Sequence, residues 1–194
     1  AMETAFAASD ADGAWVWKDA YEALEAAQVP FLRKFDAAMR ARATTPAAML
    51  EMLARLTERL PSQTRRSEES ERFQQFSTPI TLGFVATQAA ALSPSDLVLE
   101  PSAGTGLLAI FAELAGARLA LNEIAETRAG LLGGRFRDAP PATRHNAEQI
   151  HDRLAPEIRP TVVLMNPPFS ASPNVEKRFA EAAFRHVASA LARL

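Results

Sequence analysis

A parallel α/β sheet wrapped by helices on both faces, preceded by an all-α extension, is the fold this sequence predicts. Three observations carry it. Leu97-Val98-Leu99-Glu100 is a short apolar run that opens into Pro101-Ser102-Ala103-Gly104-Thr105-Gly106, the pattern of a buried strand, a glycine turn and a helix start. Val162-Val163-Leu164-Met165 is a second such run, and it opens into Asn166-Pro167-Pro168-Phe169. From Asp96 onward, short apolar runs alternate with helical periodicity, as crossover helices require.

Composition bounds the rest. A chain of 194 residues can bury a core, as one domain or one domain with an extension. Hydrophobic content of 48% with 23% charged residues places it among soluble globular proteins. A formal net charge of -2 lacks the basic excess of a domain that grips nucleic acid through phosphates alone. The absence of cysteine excludes a disulfide framework and a thiolate metal site. His145, His151 and His186 are not at zinc-site spacing, so no metal is expected. No apolar run is long enough to span a bilayer, and the start lacks the basic and apolar regions of a secretory signal. The expected compartment is therefore the cytoplasm, with no membrane partner.

Residues 1–13 are small and polar and are expected to fray. From 15 to about 41, Val16, Ala20, Leu24, Ala27, Phe31 and Phe35 recur at helical spacing. Trp15, Trp17, Phe31 and Phe35 read as core packing. Pro30 is expected to split this helix or kink it. Thr45-Pro46 starts the next one, with Thr45 as N-cap and proline at the first helical position. Met49, Met52, Leu53, Leu56 and Leu60 form its stripe, and Pro61 stops it. Residues 62–71 read as a solvated linker or helix end, with an Arg65-Arg66 phosphate contact as the alternative. Thr78-Pro79 repeats the cap-and-proline start, and Ile80, Phe84, Val85 and Ala89 give an apolar face. On spacing alone, Phe76-Ser77-Thr78-Pro79 is a helix cap.

Strands are then expected at 97–100, 118–122, 143–145 and 161–165. Helices are expected at 107–115, from 125 to about 136 (weakened by Gly130, Gly133 and Gly134), at 147–154 and at 175–194. Residues 1–72 are thus the helical extension and linker, and 73–194 the α/β domain.

In an open parallel sheet, ligands bind beyond the carboxyl ends of the strands, where strand order reverses. Gly104 and Gly106 follow the first strand and, lacking Cβ atoms, let backbone approach a ligand closely. Glu123 ends the second strand, roughly 20 residues beyond, the usual distance of a carboxylate that takes both ribose hydroxyls. A nucleoside-containing cofactor is implied. Gly104-x-Gly106-x-x-Ala109 also fits a dinucleotide fingerprint, and Asn166-Pro167-Pro168-Phe169 decides against it, because a nicotinamide site needs nothing of this kind. An amino group conjugated to a ring is a poor nucleophile. If the Asn166 side-chain oxygen and the Pro167 carbonyl each accept one N–H, the lone pair is aimed, and the bonds strengthen as charge grows on nitrogen. The prolines fix the loop, and Phe169 offers a stacking face.

These residues resemble class I S-adenosylmethionine-dependent methyltransferases of the N6-adenine type, over about 74–170. Leu99 to Gly106 is similar to the family's cofactor motif and Asn166-Pro167-Pro168-Phe169 to its catalytic motif. Phe76-Ser77-Thr78-Pro79 resembles the segment that binds the methionine part in family members where it precedes the glycine loop. The resemblance implies a Rossmann-like class I methyltransferase sheet with strands one to four present. It implies catalytic roles for Asn166, Pro167, Pro168 and Phe169. The implied contacts to S-adenosyl-L-methionine are Phe76, Thr78, Pro79, Glu100, Pro101, Ala103, Gly104 and Gly106, with Glu123 on the ribose and Ile124, Asn146 and Ala147 toward the adenine. Asn146 stands where the family often has an acid, and its oxygen can still accept from the adenine amino group. The Trp15 to Tyr21 and Thr64 to Ser70 stretches look like the amino-terminal part of bacterial strawberry-notch-type methylase/helicase proteins. DNA is then the expected partner, within a longer polypeptide. A non-catalytic cofactor-binding or structural module, or an enzyme acting on RNA or a protein glutamine, is the alternative.

Overall fold

The computed structural model describes residues 2–61, 77–167 and 176–194, with side chains in the last stretch from 183 onward. β1 (Leu97–Glu100) lies in the centre of a parallel sheet between β2 (Arg118–Leu121) and β3 (Val162–Val163). Leu99 pairs with Ala120 on one side and Val163 on the other. The expected strand at 143–145 reduces to a single parallel bridge between Asn122 and Thr143. The reason is local. The Asn122 side chain takes the Thr143 hydroxyl and the His145 amide, replacing the ladder that a strand would make.

Side chains alternate across the pleat and so feed two cores. Val98, Leu119 and Leu121 join a large cluster with Val29, Leu32, Met49, Leu53, Ile80, Phe84, Phe111 and Leu132. Leu99 and Ala120 join Ile150, Leu154 and Ala190 on the opposite face. The helices of the first cluster are α2 (Trp17–Arg42), α3 (Pro46–Thr57), α4 (Ile80–Ala89), α5 (Ala109–Leu114) and α6 (Glu126–Arg135). Those of the second are α7 (Ile150–Arg153) and α8 (Glu176–Leu191). The amino-terminal helices therefore share one core with the sheet, with α2 packed on α5 and α6 and α3 on α4. A short helix, α1 (Met2–Phe6), occupies part of the stretch expected to fray.

Thr45 caps α3 as expected, accepting the Ala48 amide at 3.2 Å. Two expectations for α2 need correction. Of the split or kink expected at Pro30, the split is ruled out, because one helix runs through it. The Ala26 carbonyl, deprived of the amide hydrogen that residue 30 would supply, accepts Arg135 Nε at 3.2 Å. The buried stripe is also not the apolar one. Glu22, Glu25, Ala26, Val29 and Leu32 face inward, while Phe31 and Phe35 are 40% and 38% exposed and lie against each other. Trp15 is buried and Trp17 exposed.

Candidate active site

Because β1 and β3 are adjacent and parallel, the segments that follow them leave the same edge of the sheet. β2 lies on the other side of β1, so strand order reverses between β1 and β3. That is the topological switch point at which open α/β sheets bind ligands. Asn166 Nδ2 donates to Thr78 Oγ1 at 3.2 Å there, joining the segment before α4 to the segment after β3. Thr78 is thus not the helix cap its spacing predicts. Pro79 takes the N-cap position of α4, and the Thr78 hydroxyl serves Asn166. Pro167 is half-buried beside Asn166. Phe76, Pro168 and Phe169 lie outside the described residues, as do Arg65 and Arg66.

The loop after β1 is fixed from β2. Asn122 is buried at the end of that strand and donates through Nδ2 to the Pro101 carbonyl at 2.8 Å and the His145 carbonyl at 3.0 Å. Its own carbonyl accepts the Ala103 amide at 2.9 Å. Glu123 follows, with Oε2 accepting the Gly104 amide at 2.8 Å and Oε1 the Ala125 amide at 2.9 Å. Gly104 and Gly106 adopt φ of 56° and 91°, in the left-handed region that favours glycine. A Cβ on Gly106 would strike the Phe136 ring, whereas one on Gly104 would meet only Arg128, at 3.6 Å.

Glu100 closes β1 and is 3% exposed. Burial pushes its carboxyl well above the usual carboxylate range, repulsion from Glu123 adds to this, and the Ala109 amide offsets part of it. Among the described residues its Oε2 has no hydrogen-bond partner. An orphaned buried carboxyl oxygen beside a glycine loop fits a ligand that carries a cation, and S-adenosylmethionine carries two. Asn146 is exposed and its Oδ1 accepts the Glu148 amide at 3.1 Å, starting the 3-10 turn Ala147–Gln149; Ala147 is buried and Ile124 exposed. Among the described residues no group of three or more His, Cys, Asp or Glu side chains could hold a metal ion. No described helix is long and apolar enough to cross a membrane.

Sequence reasoning missed Asn122, Glu22, Glu25 and Arg128. An amide ending a buried strand is a usable signal for Asn122. The glutamates give none, because periodicity assigns charged residues to the solvent side of a helix. Arg128 is buried against Glu22 at 2.8 Å.

No protein-family profile matches the chain, and no curated protein matches it. Among solved structures, TrmN from Thermus thermophilus superposes with a TM-score of 0.50 at 22% identity, over 68% of this chain and 41% of that one. PH1948 from Pyrococcus horikoshii, provisionally named an RNA methyltransferase, superposes with a TM-score of 0.48 at 20% identity, over 70% of this chain and 66% of that one. The chain thus spans less than two thirds of either protein. The likeness to TrmN, together with the switch-point geometry, shows a Rossmann-like α/β fold.

Proposed function

We propose that this chain is an S-adenosylmethionine-dependent methyltransferase domain acting on an exocyclic amino group, with adenine N6 in DNA as its substrate, in a longer polypeptide of the strawberry-notch methylase/helicase type. The observation that supports this reading best is the Asn166–Thr78 bond at the switch point, beside a glycine loop suited to a nucleoside. When bound, S-adenosylmethionine would supply a methyl group made electrophilic by its sulfonium, with a neutral thioether as the leaving group.

The chain's residues do the rest. Asn166 uses Nδ2 toward Thr78, which makes Oδ1 the amide's acceptor for a target N–H. The Pro167 carbonyl accepts the second N–H, and Phe169 stacks on the ring. These bonds strengthen as positive charge develops on nitrogen, so they favour the transition state over the ground state. Glu100 Oε2 takes the cationic end of the methionine part, with Phe76, Thr78 and Pro79 alongside. Each Glu123 oxygen already accepts one backbone amide and retains a second lone pair for a ribose hydroxyl. Ile124, Asn146 and Ala147 border the adenine.

Calorimetric titration of the full chain with S-adenosylmethionine tests the cofactor. Saturable binding is expected, and no binding at about 1 mM overturns the reading. Transfer of labelled methyl groups to DNA, RNA and a glutamine-containing peptide then separates the substrate classes. Incorporation into DNA that falls by about 10²–10³-fold in Asn166→Ala is the expected result. Binding without transfer to any of the three points instead to a non-catalytic module.

A further inference from the structure

The buried stripe of α2 changes chemistry along its length. Ala26, Val29 and Leu32 are ordinary core, but Glu22 and Glu25, one turn earlier, are 3% and 4% exposed. Packing alone would be served by alanine or leucine, since a buried carboxylate is unfavourable unless it is bonded. The change falls where α2 crosses the glycine loop. Glu25 Oε2 accepts the Ser77 hydroxyl in a short hydrogen bond and the Thr105 hydroxyl at 3.3 Å. Ser77 directly precedes Thr78, and Thr105 stands between Gly104 and Gly106. A single carboxylate oxygen therefore ties together the two segments between which the proposed cofactor would lie. One turn back, Glu22 holds Arg128 at 2.8 Å with Lys18 at 3.8 Å, and Arg128 is the group nearest the open side of Gly104. Glu22 Oε2 is buried and has no hydrogen-bond partner among the described residues.

We infer, on the strength of the cofactor reading above, that Glu25 is a positioning residue of that site: its carboxylate sets the spacing between Ser77-Thr78 and the glycine loop, and so sets affinity for the sulfonium nucleoside. Helix α2 is then a wall of the cofactor pocket. Thr78 also bonds Asn166, so the link extends from the amino-terminal helix to the target segment through two hydrogen bonds and one peptide step.

The test is titration of the full chain and its variants with S-adenosylmethionine, alongside melting midpoints and steady-state kinetics. Glu25→Ala is expected to weaken cofactor binding by about tenfold to a hundredfold, the scale of a charge-assisted hydrogen bond. Glu25→Gln retains an acceptor oxygen and is expected to lose less than about threefold. Ser77→Ala is expected to weaken binding, and the double variant to be no worse than Glu25→Ala, because both remove the same link. KM for the cofactor should rise while KM for the nucleic acid stays unchanged. Should Glu25→Ala fail to fold, Ser77→Ala and Thr105→Val delete the partner hydroxyls one at a time and carry the same expectation. Wild-type binding with unchanged affinity in these hydroxyl variants overturns the inference alone, as does a lowered melting midpoint with affinity intact. Wild-type protein that does not bind overturns the cofactor reading as well.

Discussion

The segment after β1 and the segment after β3 leave the same sheet edge, but they are secured by different means. Pro101 to Gly106 is gripped along its length by Asn122, Glu123 and Glu25, each a buried side chain. Asn166 stands beyond a strand of two residues and meets the far side of the cleft through the Thr78 hydroxyl. The difference matches what each side would have to do. A cofactor that is the same in every turnover is best met by a cradle formed in advance, which leaves little ordering cost at binding. A segment that must take hold of a target and release it is drawn from the less tightly held part of a fold.

The largest effect that can break this contrast comes from Asn122→Leu. It removes four hydrogen bonds and strands the buried groups they satisfied, for a cost of about 3 kcal/mol or more. A melting midpoint lowered by about 10 °C is expected, with cofactor binding lost. Asn166→Ala should act the other way. Methyl transfer should fall by about 10²–10³-fold, the scale of a removed transition-state hydrogen bond, with the melting midpoint nearly unmoved. If both variants melt alike, the two segments are equally structural and the contrast disappears.

The smallest expected effect concerns Glu100, whose carboxyl sits well above its ordinary 4.5 in the folded protein. The folded state therefore keeps a proton that the unfolded state has lost, and stability falls as pH rises from about 4.5 toward the raised value. Glu100→Gln removes that slope. It should raise the melting midpoint at pH 7 and leave it unchanged near pH 4, while weakening cofactor binding. Binding to the wild type should release a proton, because a cation beside Glu100 favours its ionised form. Calorimetry in buffers of different ionisation enthalpy reads that proton directly.

Much of the edge is legible without coordinates. Leu97 to Glu100 reads as a strand because three apolar residues and a glutamate run into the turn at Gly104, and Arg118 to Leu121 follows at crossover distance. That the segments after β1 and β3 leave one edge of the sheet follows from their parallel pairing. The α2 face is not legible, because Phe31 and Phe35 satisfy helical spacing while the residues that point inward include two glutamates. Hydropathy periodicity scores side chains by transfer to an apolar phase, and Glu22 and Glu25 instead face hydroxyls and a guanidinium. Thr78-Pro79 shows the same failure on a smaller scale. A local cap and a long-range bond use the same hydroxyl, and sequence spacing registers only the local option.

Pro30 gives the amino-terminal helix a property that its length hides. Each interior carbonyl of a helix is normally consumed by its own chain, which leaves the cylinder little to offer a neighbour except its side chains. The proline ring frees one main-chain oxygen, and Arg135 from a different helix claims it. An amide hydrogen restored at that position would share the Ala26 carbonyl with Arg135 and so weaken one of the ties between the two helices. A residue that ordinarily counts against a helix thus adds a main-chain tie to its neighbour, beside the Glu22–Arg128 pair.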